Sequence, residues 1–245
     1  MITFHIITLF PESLESYLNA SIVKRAQEDG YIALKYYNPR DFAIPGKRGG
    51  EMTYVERRVD SRPYGGGPGM IIEALPVIRA IDKAVGRKLK IQSASWRTKF
   101  KTSGMTASKQ IERVKIIFFS PAGKEFTNAL AETFKKYSDI VLVCGRYEGI
   151  DARVKKAFPM ADISIGPYVL TGGELPAMIV IDAVTRRLSG VLGDELSIEE
   201  NRIACPDVYT RPEMIEFKGK KLRVPKILLS GDHAKIDEWK KGRKK

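Results

Sequence analysis

Three glycine-bearing segments hold the residues whose types and spacing could do chemistry. In RPYGGGPGM, Arg62 to Met70, three adjacent glycines remove side chains so that backbone amides can approach a ligand or turn sharply. A plain structural turn accounts for this segment as well as a site does. It lacks the Gly-Lys-Ser/Thr ending of a phosphate loop and the spacing of a dinucleotide fingerprint, so nucleotide hydrolysis has little support. LVCGRYEGID, Leu142 to Asp151, puts Gly145 where a strand ends and Gly149 near a helix start, the crevice in which open α/β sheets bind ligands. Read locally, Arg146 and Glu148 serve equally well as surface charges. In SIGPYVLTGGELPAM, Ser164 to Met178, Gly166, Gly172 and Gly173 bracket a short apolar stretch, and Pro176 marks a helix start. A purine ring needs an apolar slot and a few backbone hydrogen bonds, so this third loop suits adenosine better than a phosphate.

Alternating strands and helices must position these loops. ITFHIITLF reads as a buried strand, and Pro11 opens a helix whose Leu14, Leu18, Ile22 and Ala26 recur at helical spacing up to Gly30. YIALKYY is a second strand, followed by a long loop from Asn38 to Met70 and a short helix near Glu73 to Val85. KIIFFS, DIVLVCG and DISIG are later strands. Helices over Glu125 to Tyr137 and Gly149 to Phe158 separate them, and another runs from about Pro176 to Leu188. The pattern predicts an α/β fold with a largely parallel sheet flanked by helices, its glycine loops lying at strand ends. A polar, acidic connection through Gly193, Glu195, Glu199 and Glu200 reads as a linker. The expected organisation is therefore a domain over 1–192, a linker over 193–204 and a small, basic, helical C-terminal domain over 205–245. The closing KKGRKK reads as a solvated end.

With 245 residues, 43% of them hydrophobic, the chain can fill a sizeable core. No apolar run approaches the roughly 18 residues of a membrane span, and the opening segment lacks the features of a signal peptide, so we expect a soluble, cytoplasmic protein with no membrane partner. Lys plus Arg number 42 against 29 Asp plus Glu, a net charge of +13 that favours a polyanionic partner. RNA, DNA and ribosomal surfaces all satisfy that. Gly86 to Lys115 is a basic insertion, with Arg87, Lys88, Lys90, Arg97, Lys99, Lys101, Lys109, Arg113 and Lys115 set against one acid, Glu112. Cys144 and Cys205 read as ordinary thiols without zinc-ligand spacing, and no metal site is assigned.

The fragments RPYGGGPGM, LVCGRYEGID, SIGPYVLTGGELPAM, GVLGDE, YTRPE and VPKILLSGDHAKIDEWK occur in the order and approximate spacing of the bacterial tRNA (guanine-N1)-methyltransferase family. The chain resembles that family over most of its length. The resemblance implies a SPOUT fold with a deep trefoil knot, S-adenosylmethionine bound bent inside it, and methyl transfer to N1 of the guanosine 3′ of the anticodon in tRNA. It also implies a homodimer with an active site between subunits, and a C-terminal domain that binds tRNA. Carried over position by position, the donor lies against Ser120 and Pro121, against Gly145, Tyr147, Glu148 and Gly149, and along Ile165, Gly166, Tyr168, Val169, Leu170, Gly172 and Gly173.

Guanine N1 carries a proton, so attack on a sulfonium methyl needs a base for that proton and a donor to steady the charge developing on O6. Arg186, at the family's arginine position in IDAVTRR, is the candidate for the second task. The family's base is an aspartate in the linker, and at its position this chain has Asn201, a poor proton acceptor. Either Glu200, or after it Glu199, takes the role, or Asn201 merely orients the base while another group or water accepts the proton. Pro167 replaces an acid common in the third loop, and Ser61 replaces the second aspartate of the usual VDDRPYGG. Both changes remove carboxylates, so magnesium dependence is possible but unsupported by this sequence. The basic insertion over 86–115 is expected to touch tRNA backbone or the dimer rim. Two alternatives remain: a non-catalytic RNA-binding homologue silenced at Asn201, and a knotted methyltransferase acting on another RNA site.

Overall fold

Strands β1 (Ile2–Ile7) and β6 (Asp139–Val143) are apolar along nearly their whole length, the mark of strands covered on both faces of a parallel sheet. In the computed structural model they sit at the centre of a five-stranded parallel sheet of order β2-β1-β6-β5-β7. The other members are β2 (Ile32–Tyr37), β5 (Val114–Glu125) and β7 (Ala161–Ser164), while β3 (Asp60–Ser61) and β4 (Ile71–Ile72) form a separate short antiparallel pair. The structure describes residues 1–43, 57–99, 113–193, 205 and 207–243, with backbone alone for 90–99. The period-two geometry of β6 divides the core, since Ile140 and Leu142 face one layer while Val141 and Val143 face the other. On the first face they meet Leu14 and Leu18 of α1 (Glu12–Leu18), Val23 and Ala26 of α2 (Ser21–Glu28), Phe134 of α4 (Asn128–Phe134), and Val180 and Val184 of α6 (Glu174–Thr185). On the second they meet Val77, Ile81 and Val85 of α3 (Ala74–Lys99) and Val154 of α5 (Arg153–Ala157).

Several elements depart from the pattern read in the sequence. The helix expected from Pro11 to Gly30 is two helices, because Leu14 and Leu18 are buried together but the next buried pair is Val23 and Ala26. A continuous helix would have turned Ile22 inward; the break around Asn19 and Ala20, with Ser21 at φ +49°, resets the phase by one residue. Helix α3 does not stop at Val85 but runs on through Gly86 to Lys99, 26 residues in all, so the supposed insertion begins as helix. Its remainder over 100–112 lies outside the described residues, and Val114 and Lys115 already belong to β5. Strand β5 is longer than KIIFFS and carries a bulge, in which Phe119 and Lys124 both pair with Ile163 and Ser120 to Gly123 swing away from β7. Gly123 closes that excursion where a Cβ would stand 2.6 Å from the Asp162 backbone.

The chain divides into two compact units, Met1–Val191 and Leu192–Lys245. The second holds α7 (His233–Lys241), capped by Asp232, whose carboxylate accepts from Lys235 N. It also holds a hairpin of β8 (Met214–Phe217) and β9 (Lys220–Arg223), which the expectation of a small helical domain did not include. Lys218 and Gly219 both have positive φ, as a two-residue hairpin turn demands, but Lys-Gly is a weaker signal than Asn-Gly or Asp-Gly. All eight strand residues are exposed, so no inward face imposes a clean alternation.

At the N-terminal edge of the sheet, Asp139 is buried and accepts hydrogen bonds from His5 Nε2 (2.8 Å), Lys88 Nζ (2.9 Å) and Ser138 Oγ (2.8 Å). Lys88, read as part of an insertion at the tRNA backbone or the dimer rim, is thus committed to the sheet. Burial by itself would raise the Asp139 pKa, but the donors outweigh it and bring the carboxyl from 3.8 down to about 2. A depressed folded-state pKa contributes stability that is present above 3.8 and is lost as pH falls through about 2. Asp139→Asn should therefore lower the unfolding free energy at neutral pH by about 3 kcal/mol in denaturant titrations, because a neutral amide loses the charge-assisted hydrogen bonds that the buried carboxylate accepts. The gap between variant and wild type should close on acidification through that window.

Candidate active site

Parallel strands deliver their C-terminal ends to one edge, and there the β5 bulge, the loop after β6 and the loop between β7 and α6 surround a cavity of about 470 Å³. Its volume falls within the range usual for small-molecule and cofactor sites. All thirteen positions carried over from the family line it: Ser120 and Pro121 from the bulge, Gly145, Tyr147, Glu148 and Gly149 from the second loop, and Ile165, Gly166, Tyr168, Val169, Leu170, Gly172 and Gly173 from the third. Phe118, Phe119, Ile150 and Ile163 add apolar wall that the sequence reading did not name; Phe118, Phe119 and Ile163 showed only as strand residues flanking the loops, and Ile150 as one residue within the second loop.

The second and third loops are tied to each other. Gly173 N donates to Gly145 O at 2.9 Å, and Arg146 pairs with Gly172 in an isolated antiparallel bridge. At Gly173 the approach is so close that a Cβ would stand 2.6 Å from Cys144 Cα and 3.0 Å from Gly145 N. At Gly172 a Cβ would strike Arg146 Nε and Glu174 Oε2, each at 2.5 Å. Further along, the Tyr168 hydroxyl donates to Ile165 O at 3.0 Å and folds its ring over Gly166.

RPYGGGPGM does not reach the cavity wall. Its glycines 65, 66, 67 and 69 all take positive φ, and its end braces the second loop from outside: Met70 O accepts from Glu148 N (3.0 Å) and Gly149 O accepts from Ile72 N (3.0 Å). The segment is a turn that positions a neighbour.

Arg146 is not the surface charge that a local reading allowed. Its Nε lies 3.0 Å from Oε2 of the buried Glu174, too poorly aligned for a hydrogen bond, so charge and not a shared proton holds the pair. Thr8 Oγ1 donates to the other Glu174 oxygen at 2.7 Å, and the guanidinium stands 4.8 Å over the Phe10 ring. Lys155 of α5, also unnamed in the sequence reading, lines the cavity with its Nζ 2.7 Å from Asp162 and 4.2 Å over Phe118. A lysine on a short helix carries no local signal of such a place. Burial, and then the Glu174 charge, push the Cys144 thiol well up against the opposing effect of Arg146, so thiolate chemistry has no support here.

Arg186 is not part of this wall. It follows the last residue of α6, whose twelve residues at about 1.5 Å each put it roughly 18 Å beyond the cavity end of the helix. Glu199, Glu200 and Asn201 lie outside the described residues. Among the described residues no cluster of three or more His, Cys, Asp or Glu side chains could hold a metal ion, and no helix is long and apolar enough to cross a membrane.

The family model for tRNA (guanine-1)-methyltransferase TrmD matches residues 2–245. The chain is 39% identical over 243 residues to a tRNA (guanine-N(1)-)-methyltransferase of Clostridioides difficile, covering 97% of this chain and 90% of that protein. It is 40% identical over 240 residues to the one from Carboxydothermus hydrogenoformans, covering 96% and 80%. Among solved structures it is similar to the tRNA (m1G37) methyltransferase from Aquifex aeolicus, with a TM-score of 0.68 and 33% identity over 98% of this chain and 88% of that one. With a parallel sheet, a cavity at its C-terminal edge and these matches along its whole length, the chain belongs to the tRNA (guanine-1)-methyltransferase family.

Proposed function

We propose that this chain methylates N1 of the guanosine 3′ of the anticodon in tRNA, with S-adenosylmethionine as donor, and that it works as a cytoplasmic homodimer. One observation carries the reading: three segments far apart in the sequence converge on a single cavity, and every position expected to touch the donor lies in its wall. The residues present fit that group, since apolar walls from Val169, Leu170 and Ile163 suit an adenine ring while glycine-rich backbone offers hydrogen-bonding groups without side chains in the way. When bound, S-adenosylmethionine supplies an electrophilic methyl group. Arg186 steadies the negative charge that develops on guanine O6, and Glu200 takes the N1 proton, with Glu199 next in line and Asn201 orienting the base. The knotted SPOUT form is part of the proposal, and the tight seating of Gly173 against the end of β6 supports it.

The homodimer rests on α6. Leu175 and Ile179, 53% and 43% exposed, form an apolar patch beside the cavity on a helical face that continues through Asp182 to Arg186. A second copy laid on that face would bring its Arg186 to this chain's cavity. Contact with tRNA is assigned to the C-terminal unit, where Lys218, Lys220, Lys221 and Arg223 crowd onto the hairpin, and to the part of the insertion beyond Lys88.

Labelled donor and unmodified tRNA transcripts test the function. Label should appear as N1-methylguanosine when the preceding base is also guanine, and Glu200→Gln should slow transfer about 100-fold and flatten its rise with pH. Methylation of a ribose hydroxyl, or of ribosomal RNA alone, contradicts the proposal in favour of another knotted methyltransferase. An absence of incorporation supports the non-catalytic homologue.

A further inference from the structure

Three charged side chains line the cavity among the described residues: Arg146, Glu148 and Lys155. Both cations are neutralised. Arg146 lies against Glu174, which is 3% exposed and fixed by Thr8, and Lys155 lies against Asp162. Glu148 has no ion pair or side-chain hydrogen bond with any described residue, although its place is fixed. Its backbone N–H is held by Met70 O, and its side chain packs onto Gly69, where φ is +81° and a Cβ would come within 2.6 Å of Glu148 Cγ.

We propose that the cavity is a charge filter, in which paired Arg146 and Lys155 leave Glu148 as the uncompensated charge, and that this carboxylate favours the cationic methyl donor over its neutral product. The inference rests on the donor reading above. In the transfer the methyl–sulfur bond breaks and its electron pair stays on sulfur, while the N1–methyl bond forms and the N1 proton passes to the base. The ligand thus loses one positive charge at sulfur while the wall keeps its negative one. An attraction that holds the donor is removed by the reaction itself, and product leaves more readily than donor. Arg146 and Lys155 act here as positioning residues, because a cation released from its pair would cancel the charge of Glu148. A unit charge a few ångströms away in an open, partly solvated cavity is worth about tenfold in affinity.

Calorimetry on the full chain tests this without turnover, using two ligands that cannot react: S-adenosylhomocysteine, and an analogue in which a carbon bearing an ammonium group replaces the sulfonium. Wild type should bind the cationic analogue about tenfold more tightly, with the preference shrinking as salt is raised. Glu148→Gln should bring the two affinities within about twofold of each other. Asp162→Asn, which frees the Lys155 charge at an exposed pair, should shrink the preference, and Lys155→Met should not. Equal affinities in wild type, or a preference that survives in Glu148→Gln, overturn the filter. Should Glu148→Gln bind neither ligand, Asp162→Asn decides, and an unchanged ratio there overturns it. Failure of wild type to bind either ligand is a different result, because it removes the donor reading on which the filter stands.

Discussion

Replacing Gly173 with alanine should reduce kcat/KM for methyl transfer by about 100-fold or more, the scale expected when a reacting group is misplaced by about an ångström. Backbone strain is not the cause, since φ is −86° and ψ is −2° there, values that alanine adopts freely. The cause is space. A methyl group would stand 2.6 Å from Cys144 Cα, and because both sides of the contact are backbone, no side chain can swing aside to relieve it. Either α6 retreats from the end of β6 or the loop after β6 is pushed outward, and both movements break the Gly173 to Gly145 hydrogen bond that joins two walls of the cavity. Donor affinity should fall with activity. Thermal unfolding of the variant separates this outcome from global collapse, and a variant with wild-type melting and wild-type turnover would contradict the account.

Mixing two inactive chains should restore activity. Arg186→Ala removes the group assigned to the O6 charge and should lower kcat by about 100-fold or more. A chain with an intact Arg186 but a blocked cavity, Gly172→Val, should be at least as impaired, because its side chain would displace Arg146 and Glu174. Arg186 lies roughly 15 Å along α6 from Pro176, the last residue of that helix in the cavity wall of its own chain, further than an arginine side chain spans. An active site shared across a twofold interface then predicts that co-refolded mixtures recover about a quarter of wild-type activity, one working site in each mixed dimer. If each chain uses its own arginine, no mixture recovers anything. The readout distinguishes the two arrangements without any knowledge of the interface geometry.

Much of the sheet was legible because burial on both faces leaves a plain trace. DIVLV is buried at every residue, and its run in the sequence coincides with β6. The helix phase was less legible. A shift of one residue between the stripe of Leu14 and Leu18 and that of Val23 and Ala26 looks like a single amphipathic run until the sheet beneath decides which positions face it. Gly86 reads as a stop, yet α3 passes through it, since packing of Val77, Ile81 and Val85 on the sheet outweighs one glycine's propensity. At the cavity, spacing alone picked out the glycine loops, while assignment of individual positions came through family resemblance. Neither route could show that Arg146 is paired. Its partner Glu174 lies 28 residues further on and Thr8 at the other end of the unit, so their meeting depends on strand order, which no local pattern contains. Lys88 is a parallel case, because in the sequence it is one basic residue among nine, whereas in the fold it closes on Asp139.

The proposed chemistry depends on one spatial claim, that the space between the β5 bulge, Gly145 to Gly149 and Ile165 to Gly173 is where the methyl donor sits. A crystal structure of the chain with S-adenosylhomocysteine tests this most directly. The adenosine should lie among Ser120, Ile165, Val169 and Leu170, with the sulfur toward Glu148, once per chain. A ligand bound elsewhere, or a cavity that stays empty at saturating concentration, would contradict it.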